Sequence, residues 1–241
     1  MIVGQEHPRY LIDMALKCGK NVIIFAPSGY GKSTLAEHFA KDGVYISTET
    51  PIAPLGLLNN KLLNGKRTRL VVDEIHVCNQ QEQFAWPLFL DRFNGQVIFT
   101  STEPQLLEEC IKTRCFQVIL EEYSTQDLAQ ISEVPGNAGI VLARISRGIP
   151  RLAKQYGRIF SKYNSDIVKF VTDFLGMRPY KNEMLFPNEF QYIKFLETTG
   201  RASRNVLKNL NIQDLDFVEF CLLKLNLIKI TSKGRELNGE A

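Results

Sequence analysis

The sequence has no apolar run that approaches the roughly 18 residues needed to cross a bilayer, and its N-terminus has no signal-peptide pattern. Low-complexity tracts and internal repeats are also missing, which excludes a disordered linker chain and a solenoid. These absences indicate a soluble protein, which we expect in the cytoplasm. The length of 241 residues allows one large domain or two to three small ones with ample core.

Paired cysteines and a dominant sign of charge are missing as well. The five cysteines are scattered and form no CxxC pair, so we expect a reduced intracellular compartment, without a disulfide framework or a zinc site. The 29 Lys and Arg residues nearly balance the 26 Asp and Glu residues, which excludes a polybasic nucleic-acid coat. Any DNA contact must therefore come from local patches.

A phosphate-binding pattern is present near the N-terminus. The apolar run Val22 to Phe25 predicts a buried parallel strand, and Gly31-Lys32-Ser33 opens a predicted helix that runs to about Ala40. Backbone N–H groups of the loop and of the helix N-terminus favour anionic oxygens at one point. Lys32 adds a positive charge for the β- and γ-phosphates, and Ser33 offers a hydroxyl to Mg²⁺.

The predicted nucleotide-binding residues of this P-loop are Pro27, Ser28, Gly29, Tyr30, Gly31, Lys32, Ser33 and Thr34. The pattern departs from the consensus at its first position, where Ala26 replaces glycine and requires a negative φ. Thr34 follows the consensus serine and is also compatible with a purely helical role. The alternative interpretation is a chance glycine turn in front of a core helix.

Two carboxylates, Asp73 and Glu74, end a later apolar run, which begins at Leu70 and follows a second predicted strand at Gly43 to Ile46. In phosphoryl transfer an aspartate in this position holds Mg²⁺, and a neighbouring glutamate orients or deprotonates the attacking water. Together with the upstream P-loop, the pair predicts a site for ATP hydrolysis. The alternative is an acidic pair in a solvated turn at the end of a strand.

The remaining pattern indicates an α/β protein with three parts. Strands alternate with helices up to Leu120, which predicts a doubly wound parallel sheet with its ligand at the carboxyl ends of the strands. Only helices follow from Ser124 to a linker-like break at Gly176 to Pro179. Three short helices, a strand and the basic turn Lys233-Gly234-Arg235 then predict a winged helix. The predicted domains are a core at 1–121, a helical lid at 122–178 and a winged-helix domain at 179–241.

Three details of the first domain are also predicted. The segment from Pro51 to Leu63 is expected to be irregular and then to form a short helix. A helix is expected from Leu106 to Ile111, and a core strand from Phe116 to Leu120.

The segment Val71-Val72-Asp73-Glu74-Ile75-His76 resembles the Walker B sequence of AAA+ ATPases, and among these the RuvB family of Holliday-junction branch-migration motors. Further similar segments occur in the same order over nearly the whole chain: Val3-Gly4-Gln5, Trp86-Pro87, Ser146 to Arg151, and Gly234-Arg235. The resemblance implies a P-loop AAA+ core, ATP and Mg²⁺ as cofactors, action on DNA, and self-association into a ring. A bacterial, phage or mobile-element origin fits its compact form.

The resemblance also implies roles for three further residues. Thr102, or else Ser101, stands where the sensor 1 residue holds the lytic water or the γ-phosphate. Arg151 stands at the sensor 2 position and would reach the γ-phosphate from the lid. Arg114, with Lys112 as the second choice, would reach the γ-phosphate of a neighbouring copy. For each residue the alternative is an ordinary polar or charged surface position.

Binding of the base and of DNA is predicted from the two ends of the chain. Ile2 and Val3 are apolar, as an adenine face requires, although they also suit a simple core edge. Basic residues on helix starts and the wing are expected to contact DNA phosphates; they are Arg201, Arg204, Lys229, Lys233 and Arg235. Asp214, Asp216 and Glu219 on the recognition helix argue against deep reading of a groove. A solvated surface of mixed charge and a protein-docking role remain alternatives.

The chain differs from the RuvB family where that family carries a long β-hairpin that docks its partner. Only Asn94-Gly95-Gln96 separates Phe93 from Val97. Three hypotheses follow. The protein is a ring-forming DNA motor, or a loader-like ATPase switch that places a replication protein on DNA, or a non-catalytic module. The intact Lys32, Asp73 and Glu74 argue against the third.

Overall fold

The computed structural model describes residues 2–41, 43–47, 54–57, 68–163 and 166–239. The chain divides into two compact units. The first comprises Met1–Ile131 with Gly148–Leu152, and the second comprises Ser132–Arg147 with Ala153–Ala241. The three-domain division of the sequence stays a prediction. None of the helices in the described part of the chain combines the length and the apolar composition that crossing a bilayer requires.

The first unit is an alternation of helices and strands. Its elements are α1 (Glu6–Lys17), β1 (Asn21–Phe25), α2 (Lys32–Ala40), β2 (Val44–Ser47), α3 (Pro54–Leu57), β3 (Arg69–Asp73), α4 (Gln80–Arg92), β4 (Gln96–Ser101), α5 (Glu109–Lys112), β5 (Cys115–Ile119) and α6 (Thr125–Ser132). The strands form one sheet in the order β2-β3-β4-β1-β5, and every pair is parallel. The predicted α/β class with a parallel sheet is confirmed.

The central strands are buried on both faces, which explains their continuous apolar sequences. Val22, Ile23 and Ile24 of β1 are fully buried. Behind the sheet, the rings of Trp86 and Phe99 meet edge to face with centroids 5.2 Å apart. Because β1, β3 and β4 are parallel neighbours, the loops that follow them meet at one edge of the sheet. This edge therefore carries the P-loop and both carboxylates.

The prediction of one helix from Leu106 to Ile111 was wrong. The chain instead forms a 3-10 turn, Pro104–Leu106, and then the separate helix α5. The cause is the buried side chain of Gln83, whose amide donates to the Leu106 carbonyl at 3.1 Å and accepts from the Glu108 N–H at 2.9 Å. The Leu106 carbonyl, which a continuous helix would have paired within itself, is bonded to Gln83 instead, and so is the Glu108 N–H.

Two other predicted segments of the first unit differ from the structure or are only partly described. The strand predicted as a core strand, β5, lies at the edge of the sheet, and its Phe116 and Ile119 are exposed. Of the segment from Pro51 to Leu63, only Pro54–Leu57 is described, and it is helical. The rest of that prediction lies outside the described residues.

The second unit combines helices with two small antiparallel sheets. Its elements are α7 (Gly136–Ile145), α8 (Pro150–Tyr163), α9 (Ile167–Lys169), a π-helical turn (Phe170–Phe174), β6 (Arg178–Tyr180), β7 (Glu183–Leu185), α10 (Pro187–Thr199), β8 (Arg201–Ala202), α11 (Arg204–Lys208), α12 (Leu215–Lys224), β9 (Ile228–Thr231) and β10 (Gly234–Leu237). Helix α8 begins in the first unit and continues from Ala153 in the second.

The linker-like break predicted at Gly176 to Pro179 was wrong in its second half, because Arg178 and Pro179 begin a hairpin of β6 and β7. Lys181 adopts a φ of 50° between the two strands, which lets the chain reverse within a short turn.

Strand β8 was not predicted, because it has only two residues. The turn predicted at Lys233-Gly234-Arg235 was wrong in its last two residues, because Gly234 and Arg235 begin β10 and pair with Thr231 and Ile230 of β9. The three strands form one sheet in the order β8-β10-β9.

Candidate nucleotide-binding site

The loop between β1 and α2 has the backbone shape that a phosphate site needs. Gly29 and Gly31 have φ of 82° and 85°, values that favour glycine. A Cβ atom on Gly29 would lie 2.9 Å from the Ile149 side chain, so the loop also needs glycine for space. Ala26 is not among the residues with positive φ in the described part of the chain, as predicted. The N–H groups at the start of α2 face this loop.

Lys32 is buried at the start of α2, with only 3% of its surface exposed. Its Nζ atom donates to the Pro27 carbonyl at 3.3 Å and lies 3.2 Å from Oε1 of Glu74. A buried ammonium group is stable only beside anionic or carbonyl oxygens. The same position therefore suits the oxygens of a bound phosphate.

Asp73, at the end of β3, accepts hydrogen bonds from three hydroxyl groups. Ser33 Oγ lies 2.8 and 2.9 Å from its two oxygens, Tyr45 Oη lies at 2.5 Å, and Thr100 Oγ1 also donates to it. Burial acts to raise the pKa of this carboxyl group. The bonds from Thr100, Tyr45 and Ser33, with the charge of Lys32, outweigh burial and lower the pKa. The ionised carboxylate is therefore the favoured form.

The oxygens of Ser33 and Asp73 fit a magnesium ion. A hydroxyl and a carboxylate are hard oxygen donors, and the two groups come within 2.8 Å of each other although 40 residues separate them. Mg²⁺ in such sites takes its remaining ligands from water and from phosphates. Both residues predicted to hold the metal are thus brought together.

Glu74 follows β3 with φ 50° and ψ 52°, a left-handed conformation that is unfavourable for a residue with a side chain. Its N–H donates to Thr100 Oγ1 at 2.9 Å, which holds this conformation. Its Oε2 atom accepts from the N–H of Thr102 at 3.1 Å and lies 3.4 Å from the Thr102 hydroxyl. The structure therefore places Thr102 directly against the predicted catalytic glutamate.

The ring of His76 contacts the carboxylate of Glu74. Its Nδ1 atom lies 3.3 Å from Oε2 of Glu74 and 3.2 Å from the Ser101 hydroxyl, and its Nε2 atom lies 3.3 Å from the Thr102 hydroxyl. The sequence suggested no role for His76, although it ends the segment that resembles a Walker B sequence. Thr100 and Tyr45 were missed as well, because no local pattern marks a polar residue on a neighbouring strand.

Arg151 lies beside the P-loop, whereas Arg114 does not. The Arg151 N–H donates to the Gly29 carbonyl at 3.2 Å, and its side chain is exposed. Arg114 precedes β5, whose first residue pairs with Asn21 at the start of β1. It therefore lies at the opposite edge of the sheet, where its Nε atom is 3.2 Å from Asp91. Its role in a neighbouring copy stays a prediction.

The N-terminal segment is attached to the chain beyond β5. The Gln5 amide donates to the Glu121 carbonyl at 2.7 Å and accepts from the Glu121 N–H at 2.9 Å. Tyr123, two residues later, donates to the carbonyl of Tyr30 in the P-loop at 3.1 Å. Gln5 was not predicted as a structural residue. The preceding Ile2 and Val3 are half-buried, and their contact with adenine stays a prediction.

In the second unit, the arginines predicted to contact DNA have carboxylate partners. They form the pairs Arg201 with Glu236 at 2.6 Å, Arg204 with Asp216, and Arg235 with Glu219 at 2.9 Å. Lys229 and Lys233 are exposed. A role in DNA contact stays a prediction for all of them.

Comparison with known proteins identifies the fold. No model of a protein family matches the sequence. The structure is similar to the Holliday-junction branch-migration motor RuvB of Thermotoga maritima, with a TM-score of 0.75 and 21% identity over 99% of this chain and 93% of that one. For a RuvB variant of the same organism the TM-score is 0.76 and the identity is 20%, over 99% of this chain and 94% of the variant. For a Walker-type ATPase of Pyrococcus abyssi the TM-score is 0.56 and the identity is 14%, over 98% of this chain and 93% of that one. The chain therefore has a RuvB-like AAA+ fold, as predicted.

In sequence, the chain resembles an uncharacterized protein of Thermotoga maritima. The two are 26% identical over 147 residues, which is 54% of this chain. The matched part is 24% of that relative, so this chain spans about a quarter of the relative's length.

A test of the hydroxyl cluster around Asp73 follows from its geometry. We expect Tyr45→Phe to lower the free energy of unfolding by up to about 1 kcal/mol, because it removes a hydrogen bond to a charged group that is only half-buried. Urea unfolding with and without the change measures this. Tyr10→Phe is the matched control, since Tyr10 is 60% exposed. Equal effects of the two changes would show that the Tyr45 bond contributes nothing.

Proposed function

We propose that this chain, which has a RuvB-like AAA+ fold, hydrolyses ATP with Mg²⁺ and acts on DNA as an oligomeric assembly. The observation that carries the proposal is the meeting of Lys32, Ser33, Asp73, Glu74 and Thr102 at one edge of the sheet. These side chains supply a phosphate-binding cation, metal-binding oxygens and a positioned base. Phosphoryl transfer needs this set, since it depends mainly on positioning and charge neutralisation.

Binding of the triphosphate rests on the P-loop and Lys32. The N–H groups at the start of α2 bind phosphate oxygens, and the Lys32 ammonium neutralises their charge. The hydroxyl of Ser33 and the carboxylate of Asp73 would hold Mg²⁺, which would neutralise further charge on the phosphates. We infer that Arg151 contacts the γ-phosphate with its guanidinium, and the bond from its backbone N–H to the Gly29 carbonyl of the P-loop supports this.

Glu74 supplies the base. Its Oε1 atom contacts Lys32, while its Oε2 atom is held by the Thr102 N–H. When Lys32 turns to the phosphate, Oε1 loses this partner and accepts the proton of an attacking water. Thr102 and His76 meanwhile keep the carboxylate in one orientation. The left-handed backbone of Glu74 is thus part of a pre-organised site.

We infer self-association from Arg114. Its side chain is 39% exposed and lies where the strands begin, whereas the P-loop lies where they end. It therefore reaches no phosphate bound to its own copy. An exposed arginine there suits the γ-phosphate of a neighbouring copy in a ring, where it would stabilise charge in the transition state. Hydrolysis would then depend on assembly.

We infer a winged helix at the C-terminus. The order α10, β8, α11, α12, β9 and β10, with the three strands in one antiparallel sheet, supports this interpretation. The exposed Lys229 and Lys233 are suited to phosphate contacts, whereas the ion pairs of the arginines favour a supporting role for them. Contact with the DNA backbone rather than reading of bases follows.

A loader-like switch is the second candidate. It is favoured by the short connection between α4, which ends at Arg92, and β4, which begins at Gln96. This connection leaves no room for a long hairpin. A motor would displace strands or move a junction during hydrolysis. A loader would bind ATP, assemble with a replication protein on DNA, and use hydrolysis for release.

The function is tested by measuring ATP turnover with no DNA and with single-stranded, duplex and four-way DNA, while the mass of the assembly is measured in parallel. We expect turnover to rise several-fold with at least one DNA and the mass to increase with ATP. Turnover that ignores every DNA would contradict the role on DNA. A monomer in all conditions would contradict the ring.

A further inference from the structure

Helix α8 carries a row of cations along one face. Its 14 residues include no aspartate or glutamate. In the part that belongs to the second unit, Lys154, Arg158 and Lys162 recur at a spacing of four residues, which places them on the same face. All three side chains are exposed. We call these residues the α8 basic face.

The α8 basic face differs from an ordinary solvated surface. Solvated helices usually alternate the sign of charge, and like charges four residues apart destabilise a helix. Within the described ranges, none of the three cations forms an ion pair. By contrast, Arg201, Arg204 and Arg235 of the same unit all have carboxylate partners. Within the described residues, the positive charge of this face is therefore not balanced by a carboxylate.

The opposite face of α8 fixes the row in place. Ala153 is fully buried, and Gly157 lies so close to the chain at Ser132 that a Cβ atom would come within 1.9 Å of the Ser132 carbonyl. The aromatic residues Tyr156 and Phe160 pack into the core of the second unit. The cations are thus presented by a rigid helix.

The spacing and composition of the face suit a nucleic-acid backbone. Four residues of helix rise about 6 Å, and each strand of duplex DNA advances about 3.4 Å per nucleotide along the axis, so successive cations are spaced on the scale of one to two nucleotides. The helix's aromatic rings face the core, so the exposed face offers no platform on which bases could stack. Contact through phosphates alone, without sequence preference, follows.

We propose that the α8 basic face binds the phosphate backbone of the nucleic acid on which the ATPase acts. This inference rests on the proposed function for the identity of its ligand. It assigns the contact to α8, the helix whose first turn contains Arg151, in addition to the predicted wing. The acidic surface of a protein is the competing ligand, and the experiment separates the two.

The test uses the full chain and a fluorescein-labelled duplex oligonucleotide, with binding followed by anisotropy over a range of salt concentrations. We expect the triple change Lys154→Gln, Arg158→Gln and Lys162→Gln to weaken binding at least tenfold at low salt. We also expect the slope of log affinity against log salt to fall by about 2.7, since each of the three lost contacts to duplex DNA removes about 0.9. The triple change Lys154→Arg, Arg158→Lys and Lys162→Arg should keep both values.

The matched control is Lys20→Gln, Lys41→Gln and Arg92→Gln, which removes the same charge from exposed positions of the first unit. We expect the control to leave the slope nearly unchanged. The control and the glutamine variant of the α8 basic face should both hydrolyse ATP at the parent's rate when no DNA is present. If the glutamine variant of the α8 basic face and the first-unit control lose the same amount of slope, the effect is one of net charge and the inference is overturned. Competition by poly-aspartate as strong as by unlabelled DNA would indicate an acidic protein partner and also overturn it.

The two proposals fail in different ways. If the parent binds DNA and the α8 variant binds it equally well, the inference fails and the proposed function stands. If the parent binds no DNA at any salt concentration, the DNA part of the proposed function fails and this inference fails with it. A thermal melt of each variant shows whether a loss of binding reflects a loss of the fold.

Discussion

Replacing Glu74 with glutamine is expected to lower ATP turnover by at least about 10²-fold while ATP binding persists, because a general base typically contributes this factor or more. Glutamine keeps the shape of the side chain and an oxygen for the Thr102 N–H, which now lies 3.1 Å from Oε2. It lacks the negative charge that accepts a proton. It also no longer competes with phosphate for Lys32, which lies 3.2 Å from Oε1.

The measurement combines phosphate release with equilibrium binding of a fluorescent ATP analogue. Lys32→Ala is the matched variant, and we expect it to lose both binding and turnover, since it removes the buried cation itself. If Glu74→Gln turns over ATP at the parent's rate, Glu74 is not the base. If Lys32→Ala binds the analogue as tightly as the parent, the P-loop is not the triphosphate site.

Replacing Arg147 with methionine is expected to lower the free energy of unfolding of the second unit by about 3 to 5 kcal/mol, because it leaves a buried carboxylate without its partner. Arg147 and Glu189 are each 2% exposed, and their closest atoms are 2.8 Å apart. Arg147 also donates to the Met184 carbonyl at 2.6 Å. Glu189 accepts from the Phe186 N–H at 2.8 Å, so its charge cannot easily leave the interior.

Arg201→Met is the control for this change. Arg201 also pairs with a carboxylate, Glu236, but its side chain is 46% exposed, so we expect a loss of no more than about 1 kcal/mol. Urea unfolding followed by circular dichroism compares the two variants with the parent. Similar losses in both would mean that burial of the Arg147 pair has no special weight. The Arg147 pair also holds the chain just before Gly148, where it passes to the first unit.

Predictions from the sequence were most accurate where neighbouring residues carry the signal. The apolar run of β1, the glycines at 29 and 31 and the helix that begins at Lys32 are consecutive, so the phosphate loop could be recognised without any fold. Alternating strands and helices likewise predicted the parallel sheet. The helix predicted from Leu106 failed because a distant side chain, Gln83, pairs with its backbone.

The sequence by itself determined the phosphate loop, the acidic pair at the end of β3 and the alternation of strands and helices that makes the sheet of the first unit parallel, because local backbone geometry and apolar periodicity depend on adjacent residues. Only the tertiary structure decided which hydroxyls surround Asp73, that Thr102 and His76 hold Glu74, and that the C-terminal arginines are paired. Those contacts join residues from separate strands and helices. Their partners depend on strand order and register, which no short segment contains.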